Sequence, residues 1–302
     1  MLSRRVLAAA FGAATLIGTV GLAVLPGVAS GQTTASGRVT VHRLAAADNV
    51  SPGGPIVGKV AGHTAAPAAQ AAEGQKFSVA MQSLNWSGFA VTSTKKFTYA
   101  ESRFVQPTLT CPGDHANEWS SNWVGLDGFN NTTVEQDGTA AHCGGANNTK
   151  PVYKAWYEMF PAGSVNVFTV SPGDTINTSV SFSNGKFVLT VSDLTSGKSA
   201  KHTAKCASCK RTSAEWIVER PALCTSATNC FLAHLADFGT TSMSAKVRVT
   251  GVSAAQGIPN FRNYNITMFD TASTQLDSVG KVSSSTFPAT WMAEGNTKLP
   301  NG

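Results

Sequence analysis

The chain has 302 residues, a formal net charge of +6 and 42% hydrophobic residues. The charge is uneven: residues 1–82 hold six of the 23 Lys and Arg and two of the 17 acids, which leaves the remainder with a net of +2. A region so nearly neutral, with no dense basic patch, argues against nucleic acid as a partner.

The chain opens like an export signal. Arg4 and Arg5 precede an Ala/Gly-rich apolar run, Val6 to Val24, and Val28, Ala29 and Ser30 offer a small-residue cleavage site. The run is barely long enough for a membrane anchor, and no later stretch is apolar and long enough to span. Residues 1–30 are therefore expected to be a signal peptide and the protein to be secreted and extracellular. Ser3-Arg4-Arg5 is only a partial match to twin-arginine export. Residues 31–82, rich in Ala, Gly, Ser, Thr and Pro with no aromatic before Phe77, read as a linker or a removable pro-segment.

From Ser83 the texture changes, and one large domain over 83–302 is expected. β-type runs recur at Asn85–Thr92, Lys96–Phe104, Ser121–Gly125, Val152–Phe160, Val165–Val170, Thr175–Phe182, Lys186–Val191, Glu215–Glu219, Ala245–Val252 and Tyr264–Phe269. Pro172-Gly173-Asp174 reads as a turn, and Ser183-Asn184-Gly185 joins two alternating runs as a hairpin. No window shows sustained helical periodicity. The fold class expected is all-β: a two-sheet antiparallel sandwich or jelly roll, concanavalin-like.

All six cysteines follow residue 110. Behind an export signal an even count reads as disulfides, with Cys111–Cys143 the first pairing expected. Cys206, Cys209, Cys224 and Cys230 pair within one loop region in an order left open. A zinc site from these four thiols is disfavoured by the wide second spacing and by an oxidising compartment.

There is no Gly-x-Ser-x-Gly elbow, no His-Glu-x-x-His and no Walker loop. Two glutamates stand out instead. In Ser213-Ala214-Glu215-Trp216-Ile217-Val218-Glu219, a strand puts Glu215, Ile217 and Glu219 on one face and Trp216 and Val218 on the other. Four strand steps separate the glutamates by about 13 Å. A glycosidase pair needs roughly 5–9.5 Å, so Glu215 and Glu219 do not serve as one unless another acid, such as Glu158, completes it. A secreted jelly-roll glycoside hydrolase, or a glycan-binding module using Trp86, Trp123 or Trp156, is the alternative reading.

Six ordered blocks resemble the glutamic peptidase (eqolisin) family: Asn85-Trp86-Ser87-Gly88, Ser121 to Gly128, Val134-Glu135-Gln136-Asp137-Gly138, Ala155 to Pro161, Ala214 to Glu219, and Ala236-Asp237-Phe238-Gly239. The resemblance spans Leu84 to Val249 and fades beyond Val252. It implies a sandwich of curved sheets with Gln136 and Glu219 as the catalytic pair, within reach of one shared water. It places Trp123, Asp127, Trp156 and Glu158 near the cleft as substrate-binding or positioning residues. It favours a pro-segment for 31–82 and a metal-free acid endopeptidase with no cofactor. The expected partners are protein or peptide substrates, with no nucleic acid and no membrane after signal removal, and the enzyme is expected to be a monomer. Two local departures stand out. Glu135 and Asp137 flank the glutamine in place of neutral residues, and Arg220-Pro221 follows Glu219 where fungal members often carry an acid.

Overall fold

The computed structural model describes residues 60–61, 78–224 and 230–299. The expected signal peptide and most of the 31–82 segment lie outside the described residues. β1 (Val60–Ala61) and β2 (Ser78–Ser83) lead into the first aromatic strand, β3 (Trp86–Thr92). Then come β4 (Phe97–Val105), β5 (Glu118–Asp127), β6 (Val134–Gly144), β7 (Lys150–Phe160) and β8 (Val165–Thr169). β9 (Thr175–Ser183) and β10 (Lys186–Asp193) form the expected hairpin. Its Asn184 and Gly185 have φ of 49° and 72°, the paired positive values of a type I′ turn.

Downstream lie β11 (Ser199–Ala204), β12 (Ser213–Glu219), β13 (Ala222–Cys224), β14 (Cys230–Leu232) and β15 (His234–Leu235). They are followed by β16 (Thr240–Ser244) and β17 (Lys246–Val249), then β18 (Arg262–Met268), β19 (Asp277–Val279) and β20 (Thr286–Trp291). The large sheet runs β1-β2-β18-β3-β12-β5-β6-β7-β8, with β15 beside β5. The second runs β11-β10-β9-β4-β17 and a small third runs β16-β20-β19. Pairing is antiparallel except at β18–β2 and β15–β5. The late segment with little family signal thus supplies β18, an interior strand of the large sheet.

Alternation along β12 sets the layers. Ala214, Trp216 and Val218 enter the core between the sheets with Phe89, Val124, Leu126, Ile176, Val180 and Leu189. Ile217 joins a second cluster on the other face, with Trp86, Trp123, Val134, Trp156 and Phe160. The large sheet is therefore buried on both faces at its centre. Glu215, on the same face as Ile217 and Glu219, is fully buried.

Cys111–Cys143 is a disulfide as expected, and the other four cysteines pair as Cys206–Cys209 and Cys224–Cys230. β6 escaped the propensity reading because Gln136, Asp137, Gly138, Ala140 and Ala141 are not strand formers. Packing makes it a strand. Gly138 sits in register between Trp123 and Trp156. A Cβ there would lie 2.2 Å from the Asn122 carbonyl oxygen and 2.7 Å from the Trp123 Cα. Gly138→Ala should therefore destabilise the protein by roughly 3 kcal/mol, read as a lowered urea midpoint. An unchanged midpoint would show that the β5–β6 spacing is not set here.

Candidate active site

Register arranges the outer face of the large sheet into rows. Glu215, Gly125, Gln136 and Glu158 are successive partners across β12, β5, β6 and β7. The next row holds Ile217, Trp123, Gly138 and Trp156, and the one beyond it Trp86, Glu219, Ser121 and Ala140. Gln136 and Glu219 therefore share a face, two strands and four residues apart in register.

Each is held by its own partners. The Gln136 Nε2 donates to Glu158 Oε2 at 2.6 Å, and its Oε1, also buried, accepts no hydrogen bond. Facing a carboxylate fixes which end of the amide is nitrogen. Asn85 Nδ2 donates to Glu219 Oε1 at 3.0 Å, and Trp123 Nε1 donates to Oε2 at 2.8 Å. Trp86 packs edge-on against Trp123, with ring centroids 4.9 Å apart. No hydrogen bond joins Gln136 to Glu219. Glu158 connects them, because it binds the amide and its charge is felt at Glu219.

Burial pushes the Glu219 carboxyl well above the usual carboxylate range, and Glu158 pushes it the same way. The Trp123 and Asn85 donors oppose that shift. The donor geometry thus suits an anion while desolvation disfavours it.

Trp123, Trp156 and Glu158 lie on this face, as expected. Asp127 is differently engaged. It has φ of 69°, and its oxygens accept from the backbone N–H of Lys210, Arg211 and Thr212 at 2.6–2.8 Å and from Asn131 Nδ2 at 2.7 Å. Its carboxylate anchors the 210–212 loop, with no oxygen left over for a substrate. Asn85 carried no assigned role in the sequence reading. Its only signal was its place in the Asn-Trp-Ser-Gly block, since a contact 134 residues long leaves no local pattern.

Other acids are buried with little compensation. Burial lifts Glu135 to about 9, with Asp127 nearby adding to the shift. Burial raises Glu215 well above its ordinary value, reinforced by Asp127 and Glu135. Asp137, on the core side of β6, is raised by burial against the opposing Thr178 hydroxyl. Burial raises Asp277 to about 7.

The family model described as the peptidase A4 family matches residues 84–290, which extends the likeness past Val249 into the late strands. Among solved structures, scytalido-glutamic peptidase with a peptide-based transition-state analogue gives a TM-score of 0.59 at 22% identity, covering 69% of this chain and 98% of that one. SCP-B, described as a member of the eqolisin family of peptidases in complex with the tripeptide Ala-Ile-His, gives 0.58 at 22% identity with the same coverage. Aspergilloglutamic peptidase from Aspergillus niger gives 0.48 at 28% identity, covering 58% of this chain and 99% of that one. The first two establish likeness of fold. No curated protein sequence matches the chain.

The raised carboxylates set a pH dependence of stability. Below about pH 4 native and unfolded chains are both protonated at these groups. Between there and the folded values, about 7 for Asp277 and about 9 for Glu135, the native state keeps protons that the unfolded chain has released. Stability therefore falls as pH rises through this window. Asp193 and Asp270, whose pKa values are lowered, act in the opposite sense as pH falls below about 4. The thermal midpoint should be about 10 °C or more lower at pH 8 than near pH 4–5, and Glu135→Gln should flatten the decline. A midpoint that climbs from pH 4 to 8 would overturn this account.

Proposed function

The chain belongs to the peptidase A4, or eqolisin, family and is a glutamic-type peptidase; on that premise we propose that it is a secreted endopeptidase acting in acid through Gln136 and Glu219. Its substrates are proteins or peptides. Glu219 as carboxylate takes a proton from a water, which attacks the peptide carbonyl. Asn85 and Trp123 each hold one Glu219 oxygen and so fix the plane of the base. Gln136 cannot ionise. Its Oε1 accepts from the water, and the Nε2 hydrogen not given to Glu158 is free for the developing oxyanion. The protonated Glu219 then delivers its proton to the leaving amine.

One observation carries the reading most. A buried glutamate with two N–H donors shares a sheet face with a buried amide whose oxygen is unpartnered. Two structures of similar fold hold a peptide-based analogue and a tripeptide, in keeping with a peptide ligand here. Trp123, Trp156 and Glu158 line that face, and Asp127 acts through the loop it anchors. Among the described residues no helix is long and apolar enough to cross a membrane. The proposal takes 1–30 as a signal peptide and the active enzyme as a monomer without metal or cofactor.

Latency follows from the same electrostatics. With residues 78–83 in place Gln136, Glu158 and Glu219 are out of solvent, and burial favours the protonated form of Glu219, which cannot accept a proton. Residues 31–82 are proposed to be a pro-segment whose removal hydrates this face and lowers the Glu219 pKa. Cleavage at that boundary would strip most of β2 from β18 and leave Ser83, whose hydroxyl donates to Asn85 Oδ1 at 3.1 Å.

Purified processed enzyme should degrade an unfolded protein at acidic pH. Glu219→Gln and Gln136→Ala should each lower kcat/KM by at least about 100-fold while the fold is kept. Wild-type rates in both variants would sink the pair, and cleavage of a polysaccharide with no proteolysis would favour the glycan alternative.

A further inference from the structure

Arg220 follows Glu219 and is fully buried, yet no carboxylate among the described residues lies in salt-bridge contact with it. Two of its nitrogens donate to backbone carbonyls, Nε to Leu84 O at 2.7 Å and Nη1 to Asn296 O at 2.6 Å with a longer contact to Ala233 O at 3.4 Å, while the buried Nη2 has no partner among the described residues. Its own backbone N–H donates to Asn85 O at 3.0 Å. Arg220 therefore grips two successive carbonyls of the segment that carries Asn85, whose side chain holds Glu219 Oε1. The countercharge is one peptide away. Asn296 accepts from Arg220 through its carbonyl and donates through its N–H to Asp270 Oδ2 at 3.0 Å. Asn296 thus links cation and anion through the two peptides that flank it, and the Thr271 hydroxyl donates to the Asn296 side-chain oxygen at 3.0 Å.

We propose that Arg220 is a positioning residue for Glu219, acting through the Leu84–Asn85 backbone and braced by the late-chain segment at Asn296 and Asp270. Arginine suits this role better than lysine, because two separate nitrogens of a rigid guanidinium, Nε and Nη1, serve carbonyls on two segments, whereas lysine has a single nitrogen on a flexible stem. The proposal rests on Glu219 being the general base.

The test is a double-mutant cycle on processed enzyme with an unfolded protein substrate. Arg220→Lys and Asn85→Ala should each lower kcat at least tenfold with KM little changed. Each should also move the acid limb of the kcat/KM profile upward, since Glu219 loses a donor that favours its anion. Arg220→Lys should add less than a twofold loss in the Asn85→Ala background. Multiplying losses, or a tenfold loss of kcat with an unmoved acid limb, would mean that Arg220 is only structural and would overturn the inference. If Arg220→Lys does not yield folded protein, Asp270→Asn replaces it in the cycle, with a smaller loss and the same non-additivity expected. Glu219→Gln separates the two ideas. Full activity in that variant removes the base assignment itself, whereas an inactive Glu219→Gln beside a wild-type-like Arg220→Lys removes only the bracing.

Discussion

Two-sided burial at the centre of the large sheet is the constraint from which the other properties follow. A sheet packed on one side can leave its other side wet, and polar residues there need no partners. Here the strand that carries Trp216 into the sandwich core carries Ile217 and Glu219 into a second cluster of tryptophans. A carboxylate on such a face loses its water and must find donors within the fold. Glu219 finds Asn85 and Trp123, and Gln136 is itself a donor to Glu158. The indole and amide partners are neutral, so they orient the carboxylate without forcing it to ionise. Its protonation then depends on how much water reaches it.

The protein handles its acids in two contrasting ways. Asp193 and Asp270 sit at turns where backbone N–H groups converge, and their carboxyls are stabilised as anions despite desolvation. Glu135, Asp137 and Glu215 sit on interior strands whose backbone donors are committed to the sheet ladders, and they are pushed towards the neutral form. For Asp137 and Glu215 the few donors that reach them, backbone ones included, do not offset burial, whereas at the turns of Asp193 and Asp270 the converging N–H groups do. An interior stocked with neutral acids is suited to acid and poorly suited to alkaline conditions, which agrees with the working range proposed for the site.

Chain order and spatial order diverge around Glu219. Its neighbours in space come from residue 85, just before β3, from Trp123, 96 residues earlier in the chain, and from Asn296 and Asp270 through Arg220. Glu219 is thus enclosed by the beginning, middle and late parts of the described domain. The late segment reaches this region through the hydrogen bonds that join Asp270, Asn296 and Arg220 to the Leu84 carbonyl.

The β-sandwich class, the β9–β10 hairpin and the Cys111–Cys143 bridge were all legible in the sequence, because alternation, an Asn-Gly turn and cysteine count are local or compositional signals. So was the same-face placement of Glu215, Ile217 and Glu219, which follows from the pleat alone. Ordered motif blocks pointed to Gln136 and Glu219, although β6 has almost no strand propensity of its own. Tertiary structure decided the rest. It buried Glu215 fully, pushing its carboxyl towards the neutral form, and committed Asp127 to a loop. It gave Asn85 its hold on Glu219, and it joined Arg220 to a carbonyl 136 residues earlier and to another 76 residues further on. The physical reason is range. Backbone geometry and side-chain pattern act over a few residues and are written in order along the chain. Desolvation and hydrogen-bond partnership depend on what closes over a side chain, which is known only once distant strands are side by side.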